Sequence, residues 1–121
     1  FRGGFMLINS VEIVVKKSRF IGLLYEVHSI DDVKDILEGL SKEHKKARHM
    51  PYAYKVSNTA KKSDDKEPSG TAGNPIYNIL ERKNMDNCLV VVIRYFGGIK
   101  LGAGGLIRAY GTAANEVTKN Y

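Results

Sequence analysis

A glycine-rich segment in the last third of this 121-residue chain has the composition of an anion-binding loop. An apolar run at residues 89–93 predicts a buried strand, the glycines follow it, and a helical pattern begins at once. Glycine permits positive φ and close approach, and the first amides of a helix lack partners, so the segment predicts a phosphate site. The candidate ligands are Gly97, Gly98, Gly102, Gly104, Gly105, Arg94, Lys100 and Arg108.

The same glycines are also what a tight strand-to-helix turn would need. Their spacing differs from the dinucleotide fingerprint, since Ile107 stands where the third glycine should be, and no Gly-Lys-Ser/Thr closes a P-loop. The structural interpretation and the ligand interpretation therefore both stay open. In either case we expect Gly104 and Gly105 to need positive φ or tight packing, so that valine would be excluded there.

A second polar segment, which we call the acidic loop (residues 64–71), has several side chains that could do chemistry. Adjacent carboxylates can bind Mg²⁺ through water or act as an acid/base pair, but such runs are more often solvated turns. Its hydroxyl residues have no general base at a local spacing, and His49 is the one candidate base elsewhere. We expect no metal and no cofactor. The residues in question are Asp64, Asp65, Glu67, Ser69, Gly70 and Thr71.

Positive charge is concentrated between residues 42 and 62. The whole chain carries a net charge of +6, and in this stretch only Glu43 opposes seven basic residues. A local basic cluster is typical of proteins that bind RNA or a ribosome surface, although a solvated lysine-rich face would look the same. The RNA-binding candidates are Lys45, Lys46, Arg48, Lys61 and Lys62.

Composition indicates one ordinary globular domain. Hydrophobic residues make up 43% and charged residues 26%, and no apolar run approaches the ~20 residues of a membrane span. Cys88 is the single cysteine, so no internal disulfide is possible, and we expect a cytoplasmic protein without a membrane partner. Residues 6–121 are expected to form the domain, and residues 1–5 to be vector-derived or disordered.

The elements that must position these residues follow from hydrophobic periodicity. It predicts strands at residues 11–17, 19–27, 51–57 and 89–96, and helices at 29–47, 74–83 and 103–119, with a long surface loop at 58–73. Ser29 and Asn74 are the expected N-caps. The predicted fold is an α+β two-layer sandwich, a four-stranded mixed sheet with its helices on one face.

Two long motifs, in this order, resemble the YigZ/IMPACT family. They are Ser63-Asp-Asp-Lys-Glu-Pro-Ser-Gly-Thr-Ala-Gly73 and Arg94-Tyr-Phe-Gly-Gly-Ile-Lys-Leu-Gly-Ala-Gly-Gly-Leu-Ile-Arg-Ala-Tyr-Gly111. The resemblance covers roughly residues 16–121, with Lys66 standing where the family often has glycine. It implies a fold like the second domain of a small-subunit ribosomal protein.

The resemblance also implies a role in the regulation of translation. Eukaryotic members compete for the activator of a kinase that phosphorylates an initiation factor, and bacterial members are proposed to bind nucleic acid or the ribosome. The expected partners are therefore RNA, the ribosome or a translation-regulatory protein, and we expect binding rather than catalysis. The alternative is a phosphate- or nucleotide-dependent enzyme that uses the glycine-rich loop 97–105.

Overall fold

The computed structural model describes residues 4–121, which form five strands and three helices in the order ββαββαβα. The elements are β1 (Met6–Val15), β2 (Ser18–Glu26), α1 (Ile30–Glu43), β3 (Tyr52–Val56), β4 (Thr59–Ser63), α2 (Gly73–Arg82), β5 (Cys88–Tyr95) and α3 (Gly102–Val117). Of the segment set apart as residues 1–5, the first three lie outside the described residues. Gly4 donates its amide to Asp32, and Phe5 packs edge-on against Tyr25. Within residues 4–121 no helix is long and apolar enough to cross a membrane.

One antiparallel sheet, in the strand order β1-β2-β5-β3-β4, organises the fold. The central strand β5 pairs with β2 on one side and β3 on the other, and it is buried from Cys88 to Arg94. This confirms the buried strand that the apolar run predicts. The predicted mixed sheet is wrong, because every strand pair is antiparallel.

Helices cover both faces of this sheet, so the two-layer prediction is also wrong. Val90 and Val92 point into a core with α2 and α3, whereas the alternate residues Leu89, Val91 and Ile93 point into a second core with α1. A strand that is apolar at every position needs cover on both faces. The run at residues 89–93 was therefore itself evidence against a one-sided sheet.

The fifth strand, β4, lies within the segment predicted as a surface loop. Ser57 and Asn58 have φ of 54° and 59°, as in the type I′ turns that join two-residue hairpins, and β4 returns along β3. The strand is mostly exposed and carries Lys61 and Lys62 at the sheet edge. No apolar alternation marks it, because an edge strand with two solvated faces needs none.

Helix α1 begins as predicted, with the Ser29 hydroxyl oxygen accepting the Asp32 amide at 3.1 Å. It ends at Glu43, four residues before the predicted end at Ala47. Cys88, at the start of β5, is buried as a small core residue, and burial raises the pKa of its thiol to about 11.

The glycine loop (residues 97–105) is shaped by two different constraints. A β-carbon at Gly97 would lie 2.0 Å from the carbonyl oxygen of Lys17, in the β1–β2 turn, and Gly98 and Gly102 have φ of +91° and +76°. Gly104 and Gly105, by contrast, lie inside α3 without positive φ. The positive φ predicted for Gly104 and Gly105 is therefore wrong, whereas the tight packing is found at Gly105, where an added β-carbon would lie 3.1 Å from Cβ of Leu101.

These geometries predict opposite effects of alanine at two nearby glycines. Gly97→Ala should lower the free energy of unfolding by about 3 kcal/mol or more, because its methyl group overlaps backbone. Gly104→Ala should be neutral or raise it by up to about 1 kcal/mol, because alanine favours helix and the new methyl group meets only ordinary contact distances. Urea unfolding of both variants measures this. Equal losses at the two positions would contradict it.

Candidate functional site

A cavity of about 340 Å³ lies where the end of β5, the start of α3 and the acidic loop meet. We call it the Arg94 cavity. Residues from all three predicted motifs contribute to its wall. They are Arg48, His49, Glu67, Pro68, Arg94, Phe96, Lys100, Leu101, Gly102, Ala103 and Leu106. A volume of this size is at the small end of the range for ligand pockets in proteins.

The wall of the Arg94 cavity is strongly cationic. Arg94 comes from β5 and is 6% exposed, whereas Arg48 and Lys100 are exposed at the surface. The Arg48 guanidinium lies 4.5 Å from the centre of the Phe96 ring. Helix α3 begins at this cavity with no side-chain cap and no acidic residue in its first turn. Its first amides therefore add to the attraction for an anion.

Glu67 fixes the position of the Arg94 side chain through a buried ion pair. One oxygen, Oε2, accepts from Arg94 Nη1 at 2.8 Å and from the hydroxyl of Tyr110 on α3, and the Glu67 side chain is only 2% exposed. Burial, reinforced by the hydrogen bond to Glu67, raises the pKa of Tyr110, so it remains a donor. Arg94 Nε is buried and has no hydrogen-bond partner among residues 4–121.

His49 reaches the same cavity because its backbone continues the sheet. The Arg94 amide donates to the His49 carbonyl at 2.9 Å, and the Arg48 amide donates to the Arg94 carbonyl at 2.7 Å. His49 Nδ1 lies 2.7 Å from the Asp65 carbonyl oxygen, which can only accept, so Nδ1 carries a hydrogen. Nε2 then faces Glu67 Oε1 at 3.6 Å.

Asp64 has a structural task. Its carboxylate accepts the amides of Gly70, Ala72 and Gly73 at 2.9, 3.1 and 2.8 Å, and these donors include the start of α2. Burial opposes ionisation, but the three amides outweigh it and lower the pKa of Asp64. The predicted Asn74 cap is wrong, because α2 begins at Gly73 and its amide donates to this distant carboxylate.

The other acidic-loop residues turn to separate partners. Asp65 Oδ2 accepts the Met50 amide at 2.6 Å, and the Thr71 hydroxyl donates to the Pro68 carbonyl at 2.6 Å. Ser69 is exposed. Lys66 has φ of +71°, which explains why glycine is common at its position in the family that the sequence resembles. The three carboxylates thus point to different places, and only Glu67 reaches the cavity.

Five of the eight predicted anion ligands line one of two cavities, and Gly97, Gly98 and Gly104 line neither. Arg94, Lys100 and Gly102 line the Arg94 cavity. Arg108 and Gly105 instead line a second cavity, of about 260 Å³, beside Lys16 and Ala109. Arg108 was expected to act with Lys100, but its position on α3 directs it elsewhere.

The five basic residues predicted to bind RNA are likewise dispersed. Arg48 lines the cavity, whereas Lys62 lies on β4 with its ammonium 5.3 Å from the centre of the Tyr77 ring. Lys45 and Lys46 are exposed in the turn after α1. Sequence reasoning missed Phe96 and the role of Tyr110. An aromatic residue at the exposed end of a buried strand was the available signal for Phe96.

Replacing Glu67 tests whether the buried charge pair organises the site. Glu67→Gln should lower the free energy of unfolding by about 3–5 kcal/mol, because the Arg94 guanidinium would stay buried without its counter-charge. Chemical denaturation measures the loss. The matched control is Glu12→Gln, which breaks the exposed pair with Arg19 and should leave the unfolding midpoint nearly unchanged. Similar midpoints for the two variants would contradict this role of Glu67.

The cap formed by Asp64 predicts a pH dependence. A lowered pKa in the folded state means that the ionised carboxylate stabilises the fold above the unfolded value of about 3.9, and that this stability is lost as pH falls through the folded value. Asp64→Asn should therefore cost about 1 kcal/mol at neutral pH, and the difference from wild type should shrink below pH ~4. Urea titrations between neutral and acidic pH measure it, and a constant difference would count against the cap.

Comparison with known proteins places these features in a family. The model of the family described as "Impact N-terminal domain" matches residues 16–118. IMPACT family member YvyE of Bacillus subtilis is 45% identical over 108 residues, which are 87% of this chain and 50% of that protein. The chain thus spans about half the length of this relative.

Solved structures agree with the fold. A crystal structure described as a hypothetical protein superimposes with a TM-score of 0.88 at 36% identity, covering 99% of this chain and 62% of the other. The two-domain translational regulator Yih1 gives a TM-score of 0.54 at 22% identity, covering 97% of this chain and 46% of Yih1, so it supports the fold alone. The resemblance read from the two motifs is therefore confirmed, and this chain belongs to the IMPACT N-terminal domain family.

Proposed function

We propose that this domain acts in the regulation of translation as an RNA-binding module and that the Arg94 cavity holds a phosphate of the RNA. The Arg94 cavity itself carries the proposal. Membership of the IMPACT family supports a role in translation, and the structural neighbour Yih1 is itself described as a translational regulator. The ribosome is one source of such RNA, and the expected location is the cytoplasm.

The charge balance of the cavity favours an anionic ligand. Arg48, Arg94 and Lys100 face it, and Glu67 is the single carboxylate in its wall. Phosphate groups supply most of the affinity of RNA for basic proteins, through release of their counterions. The dispersed lysines, including Lys61 on the exposed edge strand, then contribute long-range attraction rather than one shared contact surface.

The arrangement of Glu67 makes it a poor general base for the alternative, a phosphate-dependent enzyme. A general base must reach the proton that it removes. Glu67 is 2% exposed, and its Oε2 already accepts two hydrogen bonds. Its geometry suits a residue that fixes Arg94, and the glycine loop suits a turn that brings Lys100 to the ligand.

RNA binding at different salt concentrations tests the proposal. A fluorescent single-stranded RNA should bind wild-type protein with an affinity that falls steeply with salt, with a log–log slope near −0.7 for each phosphate contact. The double variant Arg48→Ala/Lys100→Ala should flatten this slope by roughly one unit or more. Fluorescence anisotropy over a salt series gives both values.

Two controls separate a dedicated site from general basicity. Arg108→Ala removes one cation from the same region but outside the cavity, and should change the slope less than Arg48→Ala or Lys100→Ala alone. Lys61→Ala/Lys62→Ala tests the edge strand separately. If an unrelated domain of equal net charge matches the wild-type affinity and slope, a dedicated RNA site is excluded and a protein partner becomes the better explanation.

A further inference from the structure

We infer that the Arg94 cavity selects the terminal phosphate of an RNA strand over phosphodiesters within the strand. The inference rests on the proposed function and names the part of RNA that this site recognises. Three independent features carry it: the charge of the cavity, its depth, and the aromatic ring at its mouth.

The charge of the cavity matches a phosphate monoester. Arg48, Arg94 and Lys100 provide three positive charges, and Glu67 cancels one, which leaves an excess of two. A phosphate monoester carries about −1.5 to −2 at neutral pH. A phosphodiester carries one negative charge, so it would leave part of this excess unbalanced.

The depth of the cavity also favours the end of a strand. Its inner wall is formed by Arg94 and Glu67, each 6% exposed, whereas Arg48, Phe96 and Lys100 are exposed residues. An internal phosphodiester has a nucleoside attached on both sides and needs an open groove. A terminal phosphate has a nucleoside on one side only, so it can reach the buried inner wall end-on.

Two sets of hydrogen-bond donors are available to a terminal phosphate. Arg94 Nε is buried without a hydrogen-bond partner among the described residues, although its neighbour Nη1 is fixed by Glu67. The first turn of α3 has no side-chain cap, and Gly102 and Ala103 line the cavity. Guanidinium groups and helix-start amides are the donors that bind phosphate most readily.

The ring of Phe96 distinguishes a nucleotide from a phosphorylated side chain. It is 37% exposed and lines the cavity, and the guanidinium carbons of Arg48 and Arg94 lie over it, 4.5 and 5.5 Å from the ring centre. Bases stack on aromatic rings and on guanidinium planes. Phosphoserine and phosphothreonine have no planar group to use this surface, so the observations favour an RNA end over a peptide with either of these residues.

Three RNAs of one sequence test the inference: one with a 5′-phosphate, one with a 3′-phosphate, and one with hydroxyls at both ends. Anisotropy at a fixed, near-physiological salt concentration compares their affinities for wild-type protein. We expect one phosphorylated RNA to bind about tenfold more tightly than the hydroxyl RNA, the ratio expected from one added charge-assisted hydrogen bond. The RNA that binds more tightly shows whether the cavity recognises a 5′-phosphate or a 3′-phosphate.

Variants connect this preference to the cavity. Arg48→Ala and Lys100→Ala should each reduce the ratio towards one, whereas Arg108→Ala should leave it unchanged. Phe96→Ala should lower the affinity for the phosphorylated RNA. It should not change the inhibition constant of inorganic phosphate as a competitor of this RNA. A phosphoserine peptide of equal charge is the remaining arm, and we expect it to bind more weakly.

The outcomes separate the inference from the proposed function. Equal affinities for the three RNAs, with the salt slope still reduced in the double variant, would overturn the terminal-phosphate inference and leave RNA binding intact. Binding of no RNA above the charge-matched control would overturn both. Tighter binding of the phosphopeptide than of any RNA would overturn the choice of ligand.

Discussion

The buried contact between Arg94 and Glu67 joins three parts of the chain that are distant in sequence. Arg94 belongs to the central strand, Glu67 to the acidic loop, and Tyr110, which donates to the same carboxylate, to α3. Both charged side chains are almost wholly removed from water. Burying such a pair costs desolvation energy, and a hydrophobic cluster of similar volume would stabilise the fold at least equally. The pair is therefore better explained by the position it gives Arg94 than by stability.

The central strand explains why this pair could be buried at all. Because α1 covers one face of the sheet and α2 and α3 the other, Arg94 continues a line of apolar residues beneath α3. The Arg94 backbone pairs with His49, which brings Arg48 to the cavity. One residue of β5 thus fixes the acidic loop through its side chain and the basic segment through its backbone.

Some short-range patterns in the sequence predicted the structure correctly, whereas pairings between distant segments could not be predicted. The buried strand and the Ser29 cap follow from short-range patterns, and the two motifs identified the family. The edge strand β4 lacks an apolar pattern, and the cap of α2 comes from Asp64, nine residues before the helix begins. An anion site was predicted from the glycine loop, but the sequence could not show that Arg48 lines the same cavity as Arg94 and Lys100 or that Arg108 lies elsewhere.

The glycines illustrate how two different structural constraints act within one motif. Gly97 is required because the β1–β2 turn presses against it, and the positive φ of Gly98 and Gly102 lets the chain turn into α3. Neither constraint applies to Gly104, which is exposed in the first turn of α3 with no heavy atom closer than 3.7 Å to an added β-carbon. Glycine weakens a helix at such a position. Packing therefore explains Gly97, positive φ explains Gly98 and Gly102, and neither requirement extends to Gly104.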